Sequence, residues 1–274
     1  MIIAYFVPYF FDTLKACSLI SRSWYTAAVP HLHRTFTLRE SRYFAARNKL
    51  GPLSELHKLG LVPLTKELQV NQSGGERAWF LPQEFSRRDL RHFSAFSNVH
   101  TLILRNLDIF SFIPHLKRYF GHFSPTLRSI VLYGPQCTPQ QLSHFLSLFS
   151  NLDDVELHNP LTFDPRPIKL IPFSAPAPGL RGRLVLSNFS QVETWTHLIA
   201  SCGGLRFRYM DLHRAASSAS VLLKVCAGTL ETLRFDVSGK PFYVGLWTRA
   251  DCEQDLISYR PVNLICRHSK TSDP

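Results

Sequence analysis

The sequence predicts an α/β fold in which short parallel strands alternate with helices along a repeating unit. Three observations predict it. First, a pattern of apolar, two residues, apolar, one residue, apolar returns as Val99-Leu102-Leu104, Leu127-Ile130-Leu132, Leu152-Val155-Leu157, Phe207-Met210-Leu212 and Leu230-Leu233-Phe235. Second, weaker copies without the first apolar residue stand at Leu68-Val70 and Leu184-Leu186. Third, the segments between copies carry helix signals, so strand and helix alternate as a parallel sheet requires.

The middle positions of the copies fall at 68, 102, 130, 155, 184, 210 and 233, at intervals of 34, 28, 25, 29, 26 and 23 residues. After the first, these lie in or close to the ~20–29-residue period of leucine-rich repeats, whose units stack only on their neighbours. An irregular solenoid of this kind is expected over residues 65–237. The asparagine or cysteine that usually follows the strand pattern is replaced by Leu107, Pro135, Pro160, Phe189, Ala215 and Ser238. The side-chain ladder at that corner is therefore expected to be missing.

Taken in order, the chain opens with an apolar stretch, Met1 to Phe11, interrupted by Pro8. One amphipathic helix is then expected from Asp12, a good N-cap, to the stop at Pro30. Leu14, Cys17, Ser21, Trp24 and Ala28 share one face of it, with Ile20 and Ala27 widening the stripe. Trp24 is expected to be buried there. Residues 41–64 read as a linker helix that Gly51-Pro52 breaks, and Asn71 to Glu76 as a loop.

Within the repeat region, Thr138-Pro139-Gln140-Gln141 is a capping box with proline at the first helical position. Leu142, Phe145, Leu146 and Phe149 follow it on one helical face. Ser190 to Glu193 is a second capping box, and Phe112 to Phe123 and Val221 to Cys226 mark two further helices. Asn159 to Gly179 holds six prolines and reads as an extended loop. Residues 238–274 are aperiodic and are expected to form an irregular cap or tail.

Composition narrows the function classes. The chain of 274 residues is 45% hydrophobic and 12% aromatic, which describes a folded protein. Its formal charge of +11 is spread along the chain, with no basic run interleaved with aromatic residues, so nucleic acid is not the expected partner. No stretch approaches the ~20 apolar residues of a membrane span. The six cysteines are widely spaced, with no Cys-x-x-Cys, and read as small buried residues of a reducing compartment. No phosphate-cradling glycine loop, nucleophile elbow or metal-binding helix appears, so neither an enzyme nor a metal or organic cofactor is expected. Asp153-Asp154 is a tempting carboxylate pair, but adjacent strand residues point to opposite faces.

The run Leu14-x-x-Cys17-Ser18-Leu19-Ile20-Ser21-Arg22-Ser23-Trp24, followed by Ala28, Pro30, His31, Leu32, Arg34, Phe36 and Leu38, resembles the C-terminal half of an F-box. It looks most like the F-box proteins of mushroom-forming fungi. The opening Leu-Pro-x-Glu helix of that family has no counterpart in Met1 to Phe11. The resemblance implies a short helical module over residues 1–40 that docks a Skp1-like adaptor of a cullin ubiquitin ligase. Its docking and core residues would be Leu14, Cys17, Leu19, Ile20, Trp24, Pro30 and Leu32. An unidentified protein substrate follows from the same resemblance, and a cytoplasmic or nuclear location is the expectation where no span or signal segment is read. The alternative is a repeat scaffold whose decayed module no longer engages the adaptor.

The repeat pattern nominates the target surface. Residues flanking each buried middle position point to the concave side of the sheet, since side chains alternate. Arg105, Tyr133, Glu156, His158, Tyr209, Asp211, His213 and Arg234 are expected along that face, exposed and available to a protein partner.

Overall fold

The computed structural model describes residues 11–39, 51–71, 94–106, 116–135, 137, 139–159, 180–187, 205–213, 222–236 and 241–245. Two helices come first, α1 (Phe11–Ser18) and α2 (Arg22–Leu32). Strand β1 (Thr35–Arg39), helix α3 (Gly51–Lys58) and strands β2 (Glu67–Asn71) and β3 (Thr101–Arg105) follow. Helix α4 (Leu116–Phe120), β4 (Ser129–Tyr133), α5 (Pro139–Leu146) and β5 (Asp154–His158) continue the alternation. The remaining strands are β6 (Arg183–Ser187), β7 (Tyr209–His213), β8 (Thr232–Asp236) and β9 (Pro241–Gly245), with a helical turn at 222–226.

All nine strands join one sheet in sequence order, β1 to β9. From β1 to β8 every pairing is parallel, and β9 runs antiparallel to β8. The register matches the repeat pattern residue for residue. Leu68, Leu102, Ile130, Val155, Leu184, Met210 and Leu233 are successive Cα partners across six pairings. Phe36 of β1 continues the row. The α/β class and the parallel sheet are therefore as expected.

One face of the sheet is the core. Leu68 and Val70, Leu102 and Leu104, Ile130 and Leu132, Val155 and Leu157, Leu184 and Leu186 form two adjoining apolar columns, all buried. Facing them are Phe120, Phe123, Leu142, Phe145, Phe149 and Leu222 from the intervening helices and turns, also buried. Phe145 meets Phe120 edge-on at 5.5 Å and Phe149 at 5.3 Å, the arrangement that ring quadrupoles favour. The first apolar position of each copy fills the base: Val99, Leu127, Leu152, Phe207 and Leu230. In the two weaker copies the place is filled differently. Thr65 takes it before β2, and Leu180, one residue early and at φ +37°, takes it before β6.

The corner beyond the strands carries a row of backbone hydrogen bonds. Asn106, Gly134 and Asn159 follow β3, β4 and β5 directly and take φ +55°, +55° and +48°. Asparagine and glycine tolerate that left-handed conformation best. Each also donates its N–H across to the next strand: Asn106 to Tyr133 O at 2.7 Å, Gly134 to His158 O at 2.8 Å and Asn159 to Ser187 O at 3.0 Å. Asn106, Gly134 and Asn159 stand one position before Leu107, Pro135 and Pro160, the positions that lack the usual asparagine or cysteine.

Several local expectations are corrected. The single helix Asp12–Pro30 is two helices separated by Leu19, Ile20 and Ser21. The break has a local cause: the Ser21 hydroxyl accepts the N–H of Trp24 at 3.3 Å and caps α2, competing with continuation of α1. Pro30 does not stop α2, which runs on to Leu32. Gly51-Pro52 opens α3 instead of breaking a helix, as proline in a first turn allows. In the turn at 222–226, Leu222, Leu223 and Cys226 are buried while Val225 points outward. Residues 1–40 contribute β1 to the sheet, so the segment expected to be a helical module supplies the first strand as well. The second capping box, the proline-rich loop and residues 246–274 lie outside the described residues.

Candidate functional site

The residues expected on the second face of the sheet are all brought there, and most of them touch. Arg105 lays its guanidinium 3.8 Å from the Tyr133 ring centroid. Tyr133 stacks on His158 at 4.4 Å with only 9° between the planes. His158 Nε2 lies 3.4 Å from Glu156 Oε2, two residues back on the same strand. Parallel register produces these contacts, because equivalent residues on adjoining strands sit ~4.8 Å apart. Arg105, Tyr133 and His158 are such equivalents.

Arg183, which was not among the expected residues, is the hub of the second half. Its guanidinium lies 3.4 Å from Glu156, 3.8 Å from Asp211 and 5.2 Å from the Tyr209 ring. Asp211 also meets Arg234 at 3.5 Å and His213 Nε2 at 2.8 Å, the latter close but not aligned as a hydrogen bond. The chain from Arg105 to Arg234 is thus continuous across six strands. Arg183 was overlooked because its strand belongs to a weak copy of the pattern. Register would have found it, since Arg183 is the Cα partner of Tyr209.

The face is not the exposed polar surface that was expected. Asp211 is 2% exposed, Tyr133, Glu156, His158, Tyr209, His213 and Arg234 are half-buried, and Val131 and Val185 beside them are buried. A carboxylate so covered requires cationic partners, and Arg183 and Arg234 provide them. Burial opposes ionisation of Glu156 as well, yet its carboxyl is held below the ordinary value. The main cause is the hydrogen bond with His158, with Arg183 adding its charge. Asp153 and Asp154 do not act together. Asp153 pairs with Arg128 at 3.6 Å, and Asp154 accepts the backbone N–H of Arg183 at 2.7 Å, fixing the start of β6.

A second surface lies at the junction of α1 and α2. Leu14 and Ala28 are buried, whereas Leu19 is 86% and Ile20 68% exposed, with Tyr25 and Trp24 also open to solvent. The expectation that Trp24 is buried beside Leu14 and Cys17 is corrected: Trp24 is 38% exposed and Cys17 half-buried. The helix break turns the α2 face relative to α1, so one stripe no longer runs through both. Leu32 is half-buried and Pro30 exposed.

Among the described residues, no group of three or more His, Cys, Asp or Glu is placed to hold a metal. No helix among them is long and apolar enough to cross a membrane. Cys226 is buried, its thiol pushed up to about 11 by that burial, and it packs as a small apolar side chain. No protein-family model, curated protein or solved structure matches the chain.

Proposed function

We propose that the chain is a non-catalytic, intracellular receptor that joins a Skp1-like adaptor of a cullin ubiquitin ligase to a protein target. In this reading the sheet is the inner wall of an irregular leucine-rich-repeat solenoid, supported by the sequence-ordered parallel strands and their 23–34-residue spacing. The adaptor docks on the α1–α2 junction, and the target meets the Arg105-to-Arg234 face.

One observation carries the reading. Leu19, Ile20, Trp24 and Tyr25 stand together in water at one turn. Clustered large apolar side chains on a folded surface mark protein contacts. They lie inside the stretch that resembles an F-box. The sheet face offers the complementary quality, a fixed array of aromatic and charged groups on a rigid support.

The test is co-purification with a purified Skp1-like adaptor. Wild type and Lys15→Ala should retain the adaptor, and the double variant Leu19→Asp/Ile20→Asp should lose it while keeping its melting temperature. Failure of the wild type to hold the adaptor at micromolar concentration returns the chain to the second reading. That reading is a scaffold that binds its partner on the sheet face alone.

A further inference from the structure

The residue immediately before each strand forms a row of its own along the sheet edge. Lys66 donates its backbone N–H to Arg34 O at 2.7 Å, His100 to Lys66 O at 2.8 Å and Arg128 to His100 O at 2.9 Å. Four basic residues from four successive strands are thereby stacked at ~4.8 Å intervals. The row ends at Arg128, because the next member, Asp153, pairs with it. Among the described residues, no carboxylate forms an ion pair with Arg34 or Lys66. Glu67 is the one carboxylate among the described residues lining the cleft at this row, and its Oε1 accepts from Gln69 Nε2 at 2.7 Å.

A cleft of about 510 Å³ opens over this row. Arg34, Lys66 and His100 line it with His31, and Pro63 and Leu64 supply an apolar wall. Asn98 Nδ2 donates to Pro63 O at 2.9 Å and holds that wall in place. The cleft is of the size that takes a small molecule. The cations also act on His100, whose imidazole is held below its ordinary value by burial and then by Lys66, Arg128 and Arg34. An anion entering the cleft would relieve that repulsion.

We propose that the cleft between the α2–β1 turn and the starts of β2 and β3 binds a small phosphate-bearing ligand. Arg34 and Lys66 carry the fixed charge, and the His31 and His100 rings line the same cleft as hydrogen-bonding groups. A phosphate offers several acceptor oxygens and up to two negative charges, which suits three or four convergent cations. A nucleic-acid strand fits poorly, because Asp153 closes the row after ~15 Å. The cleft lies apart from the patch of Leu19, Ile20, Trp24 and Tyr25 and from the Arg105-to-Arg234 face, although Pro30 at its rim belongs to the stretch that resembles an F-box.

The experiment titrates the full chain with inorganic pyrophosphate, followed by calorimetry and by proton NMR of the histidine rings. Binding should raise the His100 midpoint, and Lys66→Gln or Arg34→Gln should each weaken binding about tenfold. Arg208→Gln, which alters another pre-strand cation paired with Glu231 at 3.7 Å, should leave it unchanged. Melting temperatures of the variants confirm that they fold. The proposal is overturned if pyrophosphate fails to bind at millimolar concentration, or if Arg208→Gln weakens it as much as Lys66→Gln does. It is equally overturned if a short oligonucleotide binds more tightly and keeps its affinity in Lys66→Gln.

Discussion

The α1–α2 pair and the sheet handle apolar side chains in opposite ways. The sheet region turns nearly every large apolar residue of its pattern inward, into a core that runs unbroken from Leu38 to Leu233. The helical pair buries Leu14 and Ala28, neither of which joins that core, and leaves Leu19, Ile20, Trp24 and Tyr25 in water. Both segments are amphipathic by sequence. The difference is that repeated units cover one another, whereas two short helices have little to cover them with. In the proposed reading, this uncovered apolar face is where the adaptor docks.

The largest way to break this contrast is in the core. Phe145→Ala removes a ring that meets two others edge-on and should cost ~3–5 kcal/mol, read as a large drop in the urea midpoint. A loss below ~1 kcal/mol would mean that the core is loosely filled there.

Next comes Gly134→Ala. Gly134 holds φ +55°, and an added Cβ would stand 2.8 Å from Asn106 Oδ1. The combination should cost ~1–2 kcal/mol in the same assay. An unchanged midpoint would show that the left-handed corner is not a constraint.

Trp24→Ala sharpens the other side of the contrast. A partly exposed ring should contribute only about 1 kcal/mol to stability, so the variant should stay folded. Its adaptor co-purification should still fall. Cooperative unfolding of the variant at room temperature would place Trp24 in a core after all.

The smallest effect is on pH. The Glu156 carboxyl is held below its ordinary value of 4.5, so its contribution is complete above that pH. It is lost as pH falls through the lowered folded value. Wild type should therefore lose more stability than Glu156→Gln between pH ~5 and pH ~3. Parallel acid titration curves for the two proteins would refute the His158–Glu156 pairing.

The register of the sheet was readable because burial imposes period two inside a strand and stacking imposes a unit length between strands. Leu102, Ile130 and Val155 announce both at once. What could not be read has local causes. Phe36-x-Leu38 carries the strand spacing, but His33 stands at the first apolar position, so β1 passed as the tail of a helical segment. Strand β9 reverses direction and has no copy to match. Arg183 was hidden because Leu180 fills its base position one residue early, through a left-handed turn that no pattern of apolar residues records. Helical periodicity placed Trp24 on a face with Leu14 but carried no information on whether anything covers that face. The second face was located correctly. Its burial was not foreseen, because it arises from side chains on adjoining strands lying across one another.

The strand order also governs how the chain reaches this structure. Each strand pairs with its neighbour in sequence, so no pairing from β2 to β8 closes a loop longer than the 34 residues between Leu68 and Leu102. Closure entropy rises only slowly over such lengths, and none of it is compounded by crossings. A nucleus formed anywhere can then extend one unit at a time in either direction. Among the described residues, the units from β3 to β5, with Phe120, Phe145 and Phe149 beneath them, hold edge-on aromatic packing and are a natural place for it to begin. Folding then spreads outward like a zipper, and unfolding starts from the two ends. The α1–α2 pair is attached next to β1, at one of those ends. Its position at an end lets it loosen and reseat while the middle of the sheet stays closed.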